Sequence, residues 1–448
     1  MKMKCKYCGN EMFLDDKDYN FKGCYDNYWL CKKCGASAFE KVRYGKRFIV
    51  EWQKGENDYD CKTKYHKPLI AEQTSLFDKG EELEHLAPIK SSEWNWSFAD
   101  YPKEKNGLKV FSCFACGGGS TMGYKLAGCD VIGDLEIDPK MNDIYVKNHK
   151  PKHNYLMDIR EFNKLDNLPK ELYNIDILDG SPPCTPFSMA GEREDSWGKK
   201  KKFREGQAEQ TLDDLSFIFI ETINKLRPKV AIMENVEGLI KGAAWEYVRK
   251  IYAKFTAIGY NVKHWLLKGE NMGVPQRRHR VFFIATRLDF DLEKIDMNFN
   301  YAPINYGEIK AGKTRVFGGK FFEIAKNSNN NDKSIADTRV RMGQKGSAFQ
   351  CCYIRNDEVL MTIRSNPDII DIEEIKYLSW ESYRNAQTFP QDYNFFPNKV
   401  NNVGYICGMS VPPLMIKRVV TRLIESGIFK QKGENDYSQD KNEKNNEI

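Results

Sequence analysis

Two absences set the first limits on this 448-residue chain. No apolar run approaches the length of a membrane span, so no membrane partner or helical membrane anchor is expected. The amino terminus, Met1-Lys2-Met3-Lys4-Cys5, leads into polar residues without an apolar core behind it, and no secretory signal is read there. The excess of one charge sign over the other is also small. Lys and Arg total 69 against 63 Asp and Glu, and the resulting +6 admits a polyanionic partner without demanding one. The 13 cysteines include isolated ones in apparent core strands, such as Cys129, which suits a reducing, cytoplasmic setting better than a disulfide framework. A 41% hydrophobic fraction over this length supports two or three packed domains.

Among what is present, Cys5-x-x-Cys8-Gly9 and Cys31-x-x-Cys34-Gly35 form two knuckles. Each pair brings two thiolates to one ion, and four sulfur ligands favour tetrahedral structural zinc, which replaces a core too small to fold alone. Duplication of the knuckle argues against a redox pair, and Cys24 and Cys61 are spectators. Residues 51–106 are polar and without sustained periodicity, and read as a linker with one short helix. Within them Gln73-Thr74-Ser75-Leu76-Phe77 resembles the short peptide by which bacterial DNA enzymes dock on the sliding clamp.

From Leu108 onward strands alternate with helices. Val110 to Phe114, Cys129 to Leu135, Ile175 to Leu178, Val230 to Met233 and Val281 to Ala285 read as buried strands, which implies a doubly wound, mostly parallel α/β sheet. Gly117-Gly118-Gly119 between strand and helix lets a ligand approach the backbone at a helix N-terminus. Glu136, at the end of the second strand, is placed to accept from ribose hydroxyls. Order fades between Leu288 and Asp371, and the polar tail 430–448 reads as disordered.

Pro182-Pro183-Cys184 directly follows the strand at Ile175 to Leu178. The prolines stiffen a loop that presents a thiol at a strand's carboxyl end, where open α/β sheets build their sites. A cysteine so held attacks an electrophilic carbon if its thiolate is stabilised. Glu234-Asn235-Val236 ends another strand on the same rim. In Gln276-Arg277-Arg278-His279-Arg280, alternate residues Gln276, Arg278 and Arg280 share one face, a pattern that suits anion handling.

In order and spacing these blocks, together with Phe114, Asp158-Ile159, Glu381 to Phe389 with Pro390 and Tyr393, and Gly408 to Pro413, resemble the DNA (cytosine-5) methyltransferase family from Leu108 to Phe429. The resemblance implies a Rossmann-like methyltransferase sheet with a smaller recognition lobe, to which the zinc ribbon is an addition. It further implies that Cys184 attacks carbon 6 of a flipped cytosine in double-stranded DNA, that Glu234 holds the ring nitrogen and amine, and that Arg278 and Arg280 orient the base. Phe114, Gly118, Glu136, Ile137, Asp158, Ile159, Pro182, Leu215 and Ser410 would bind S-adenosylmethionine. Thr185 to Thr211, carrying Lys199 to Lys202 and Arg204, resembles the loop that closes over DNA.

The expected organisation is a ribbon at 1–50, the linker, a catalytic part at 107–287, a recognition region at 288–371 and a returning catalytic part at 372–429. The sequence departs from the family pattern in four places. Ser112 stands where an acid is usual, Cys116 where glycine is, Thr185 where glutamine is and Met409 where asparagine is. Two other readings follow: methylation of transfer RNA, or a zinc-containing DNA-binding regulator with a decayed catalytic domain.

Overall fold

The computed structural model describes residues 3–6, 8, 10–21, 24–31, 37–43, 46–53, 71–72, 86–183, 215–241, 244–316, 319–346, 348, 351–366 and 368–430. The expectations for Cys34, Cys61, Cys184, Gln73 to Phe77, the Thr185 to Thr211 loop and the tail beyond 430 lie outside these residues.

Five strands open the chain: β1 (Met3–Lys4), β2 (Glu11–Phe21), β3 (Cys24–Leu30), β4 (Ser37–Arg43) and β5 (Lys46–Gln53). They pair in chain order as an antiparallel meander. Its small apolar centre holds Met3, Cys5, Met12, Trp29, Cys31 and Ala38.

The main sheet has eight strands. β6 (Ala71–Glu72) lies at one edge, followed along the chain by β7 (Lys109–Cys113), β8 (Asp130–Glu136), β9 (His153–Leu156), β10 (Ile177–Gly180), β11 (Val230–Val236) and β12 (Asn261–Lys268). The short β13 (Gln276–Arg277) precedes the eighth member, β14 (His279–Thr286). The spatial order is β6-β12-β14-β11-β10-β7-β8-β9, and β14 alone runs against its neighbours. Alternate residues serve opposite faces. Val110, Val131, Ile177, Val230 and Ile232 enter one core, whereas Phe111, Ile132, Leu178, Ala231 and Met233 enter the other. Both faces are therefore covered, as a parallel sheet requires.

β9 and β12 were not expected. In β12, Lys263 and His264 break the apolar run, and the fully buried His264 is accommodated by the Tyr252 hydroxyl at 2.7 Å from Nδ1.

Residues 86–101 are no linker. They carry α1 (Ser91–Trp94) and lie against the main domain, with Trp94 and Trp96 buried in its core. Trp96 Nε1 donates to the Thr388 carbonyl at 2.9 Å, the Phe98 amide donates to Asp392, and Glu93 pairs with Arg418. Two tryptophans supply this burial without a periodic pattern, so local sequence gave no sign of it.

Helices α2 (Gly119–Leu126), α3 (Pro139–His149), α4 (Ile159–Lys164), α5 (Leu215–Leu226) and α6 (Trp245–Ala257) link the strands. After β14 the chain does not leave the main domain at once. Phe290, Leu292, Ile295, Met297, Phe299 and Ile304, with Tyr306 and Ile309 of α7 (Tyr306–Ile309), still pack in its core.

A separate apolar centre, Ile324, Ala325, Ile335, Cys351, Tyr353 and Ile370, follows. It is built from β15 (Arg315–Val316), α8 (Lys320–Lys326), α9 (Ile335–Arg341), β16 (Cys351–Ile354), β18 (Asp368–Asp371) and β19 (Lys376–Tyr377), while β17 (Leu360–Met361) pairs with β13. The folded lobe thus begins later than Leu288, because residues 288–309 find apolar partners in the main core first. The chain returns through α10 (Trp380–Ala386), α11 (Val400–Met409) and α12 (Pro413–Glu425). α12 buries Leu414, Met415, Ile416, Val419, Val420 and Leu423 against the same core as α2.

Replacing Trp96 by alanine is expected to destabilise the main domain by about 3 to 5 kcal/mol, the usual cost of a large buried aromatic. Chemical denaturation would read this, and a loss under about 1 kcal/mol would show that the strap is not part of the core.

Candidate active site at the carboxyl rim of the sheet

Chain order reverses at β7. The chain proceeds outward to β8 and β9, then returns to lay β10 and β11 on β7's other side. Loops leaving β7 and β10 therefore diverge and open a crevice at their carboxyl ends. In it lies an open cleft lined by Phe114, Leu135, Ile137, Met157, Asp158, Ile159 and Leu215. Five of these were expected cofactor residues; Leu135 and Met157 were not.

Glu136 ends β8, next in sequence to the cleft residues Leu135 and Ile137. Its carboxylate accepts from the amides of Cys116 at 2.7 Å and of Ile137 and Asp138 at 2.8 Å each. Of roughly four acceptor sites on a carboxylate, this leaves one. Burial raises its pKa, against the lowering effect of those amides. Asp158 caps α4 through the Arg160 amide at 2.8 Å.

Gly118, Glu136, Pro182 and Ser410 are not among the residues that line the cleft. A side chain at Gly118, where φ is +80°, would overlap the His149 ring, and one at Gly119 would overlap the Val411 carbonyl. The glycines thus serve close packing behind the turn. The departure at Cys116 is absorbed in the backbone, since Cys116 takes φ +46° and Phe114 φ +57°, a region costly for residues with a Cβ.

Glu234, buried at the end of β11, accepts from Arg280 Nε at 2.9 Å. Val236 and Arg280 stand opposite each other in the β11–β14 ladder, so the pair spans two strands. The next residue, Asn235, donates from Nδ2 to the Pro182 carbonyl at 3.3 Å. The segment leading to Cys184 therefore departs from beside Glu234.

The acid absent at position 112 has a counterpart across the strand pair. Ser112 and Asp179 are partners in the β7–β10 ladder, and Asp179 accepts from Ser112 Oγ at 2.9 Å and from the Tyr124 hydroxyl at 3.0 Å. Burial raises the Asp179 carboxyl to about 7, against the lowering effect of those bonds. This carboxyl escaped the sequence reading because its role depends on a neighbouring strand.

The Gln276-to-Arg280 face differs from the anion-handling pattern. Gln276 and Arg278 are buried, and Arg278 donates to the carbonyls of Ile363 at 3.2 Å, Gly408 at 3.0 Å and Ser410 at 2.8 Å. Gln276 Nε2 donates to Gln387 Oε1 at 2.8 Å, while Gln387 Nε2 donates to the Ser410 carbonyl at 2.6 Å. Backbone carbonyls of the returning segment thus take the place of an anion.

His279, between the two arginines, faces Glu270 at 2.8 Å from Nε2 and Glu237 at 3.3 Å from Nδ1.

In the ribbon, the Cys5, Cys8 and Cys31 sulfurs lie within 4.8 Å of one another, with Cys8 and Cys31 3.5 Å apart. Tetrahedral zinc at a Zn–S length of about 2.3 Å separates its sulfurs by about 3.8 Å, so this donor set fits the ion.

A sheet wound both ways from β7, with a glycine turn on one side of the crevice and an acid at the end of β8, is the arrangement in which α/β proteins hold nucleoside cofactors. The model of the C-5 cytosine-specific DNA methylase family matches residues 108–338, more than half of the chain, and the chain belongs to that family. It is a DNA (cytosine-5)-methyltransferase.

The chain is similar to Type II methyltransferase M.FnuDI of Fusobacterium nucleatum, with 26% identity over 355 residues covering 72% of this chain and 96% of that protein. It is also similar to Type II methyltransferase M1.HphI of Haemophilus parahaemolyticus, with 24% identity over 342 residues covering 71% and 87%. A crystal structure of a Spodoptera frugiperda DNMT2 mutant shares the fold at a TM-score of 0.52 and 16% identity, over 71% of this chain and all of that one.

The His279 clasp predicts a pH dependence of stability. Burial alone would lower its pKa, but hydrogen bonds and charge from Glu237 and Glu270 raise it from 6.5 to about 9. The folded state therefore holds a proton that the unfolded state releases between these values. The stabilisation is complete below pH 6.5 and is lost as pH climbs through 9. Melting curves of wild type and His279→Gln are expected to differ most near pH 6 and to converge above pH 9. A constant difference would rule out a protonated clasp.

Proposed function

We propose that this chain methylates carbon 5 of cytosine within a specific duplex site, as a methyltransferase of the Type II restriction-modification kind. The reading is carried by the convergence on one rim of the Phe114-to-Leu215 cleft, the Pro182 segment and the Glu234–Arg280 pair. S-adenosylmethionine supplies an electrophilic methyl group when bound in that cleft. Phe114, Ile137, Asp158, Ile159 and Leu215 would hold it, and the remaining acceptor site of Glu136 suits a ribose hydroxyl.

The target base must leave the stack, because its ring faces are covered within the duplex. Cys184 as thiolate forms a bond to carbon 6, and the electron pair of the 5,6 double bond shifts toward carbon 5. Glu234, oriented by Arg280, holds the ring nitrogen and exocyclic amine and stabilises the charge that develops. Carbon 5 would take the methyl group as the bond from that methyl to the sulfonium sulfur breaks, its electron pair remaining on sulfur as a neutral thioether. A base then removes the carbon 5 proton, the double bond reforms and the sulfur–carbon bond breaks to return the thiolate. Arg280 stands where it can also meet the base, while Arg278 acts through the backbone it holds. The recognition region within 288–371 would read base edges in a DNA groove. No particular feature favours transfer RNA or a decayed regulator.

For the ribbon, Cys5, Cys8, Cys31 and Cys34 would complete a tetrahedral zinc site that stabilises the meander.

Cys184→Ser is expected to cut tritium transfer from labelled S-adenosylmethionine to duplex DNA by roughly three orders of magnitude or more. Cofactor and DNA affinity should stay within a few-fold, and substantial turnover by the variant would refute the covalent route. Metal analysis of the purified chain should find about one zinc per molecule, lost in Cys5→Ser while methyl transfer persists. Full cysteine reactivity toward a thiol reagent in the untreated protein would sink the zinc assignment.

A further inference from the structure

The turn after β7 is held from behind by two donors that approach one oxygen. The Tyr393 hydroxyl donates to the Gly117 carbonyl at 2.6 Å, and His149 Nε2 lies 3.2 Å from the same atom. A carbonyl only accepts, so this contact requires the Nε2–H tautomer. Burial, helped by Lys125, lowers the His149 pKa to about 3, so the ring is neutral at ordinary pH. Its plane is set by neighbours, with ring centroids at 4.7 Å for Tyr145, 6.1 Å for Tyr393 and 6.2 Å for Phe98.

The clamp has a physical task. Phe114 and Cys116 both sit in the left-handed region. Such strain persists only where surrounding contacts over-determine the backbone. On one side Glu136 holds the Cys116 amide, and on the other Tyr393 and His149 hold the next carbonyl. Two residues before the first of these anchors, Phe114 forms a wall of the cleft. Without the rear anchor the backbone can relax and the Phe114 wall moves.

We infer that His149 and Tyr393 are positioning residues for the cofactor turn, setting cofactor affinity through the Gly117 carbonyl and Phe114 without touching the cofactor. The inference rests on the reading that this cleft receives S-adenosylmethionine.

Titration calorimetry with S-adenosylmethionine, alongside steady-state methylation of duplex DNA, tests it. Tyr393→Phe removes one hydroxyl and keeps the ring. It should weaken cofactor binding about tenfold, the scale of one buried hydrogen bond, and raise KM for the cofactor equally. The kcat at saturating cofactor should stay within about twofold. His149→Leu should behave in the same way, and His149→Gln, which restores an amide donor, should recover most of the affinity. Unchanged affinity in both Tyr393→Phe and His149→Leu overturns the inference, as does a fall in kcat at constant affinity. If the wild-type chain itself fails to bind, the assignment of the cleft falls first, and the two failures are told apart by that control.

Discussion

The arrangement depends on the three backbone carbonyls that Arg278 binds. Its guanidinium is buried and donates to the carbonyls of Ile363, Gly408 and Ser410. A buried cation is costly unless its hydrogens find acceptors, so these three carbonyls are bound to the sheet as firmly as the arginine needs them. Gln276 and Gln387 extend the same lattice. The chain departs after β14, builds a lobe with its own core, and must return to one place. Arg278 specifies that place.

From this fastening the cofactor side follows. α12 lies against α2 closely enough that a side chain at Gly123 would meet Ile416 at 2.5 Å. Gly117 to Gly119 are matched by His149 on one stretch of chain and by Ile406 and the Val411 carbonyl on another. A turn carrying two non-glycine residues at positive φ is therefore enclosed rather than free, and its strain is balanced by packing contributed from far along the sequence. The chemical side is tied in by shorter routes. Asn235 holds the Pro182 carbonyl beside Glu234, and Asp179 stands beneath the same loop, restoring from β10 the carboxyl that β7 lacks.

Several parts of this were legible in the residues. Apolar runs bounded by glycine and proline located β7, β8, β10, β11 and β14, since a strand buried on both faces leaves a continuous hydrophobic signature. Phe114, Ile137, Asp158, Ile159 and Leu215 were named as one group and line one cleft. Other parts were hidden for identifiable reasons. β12 carries His264, whose burial is tolerated through Tyr252. Trp94 and Trp96 looked like linker because nothing local announces what two tryptophans will cover. Asp179, Gln387 and His149 owe their roles to partners on other elements.

The sequence by itself determined the winding of the sheet, the residues at its carboxyl rim and the thiol cluster of the ribbon, because strand burial, loop stiffness and ligand spacing are local properties of the chain. Tertiary structure alone decided that Arg278 faces carbonyls rather than an anion, that the glycine run serves packing, and that residues 86–101 and 288–309 belong to the main core. Each of those outcomes is settled by which distant group satisfies a buried hydrogen bond or fills a volume, and neither is encoded in any single window of residues.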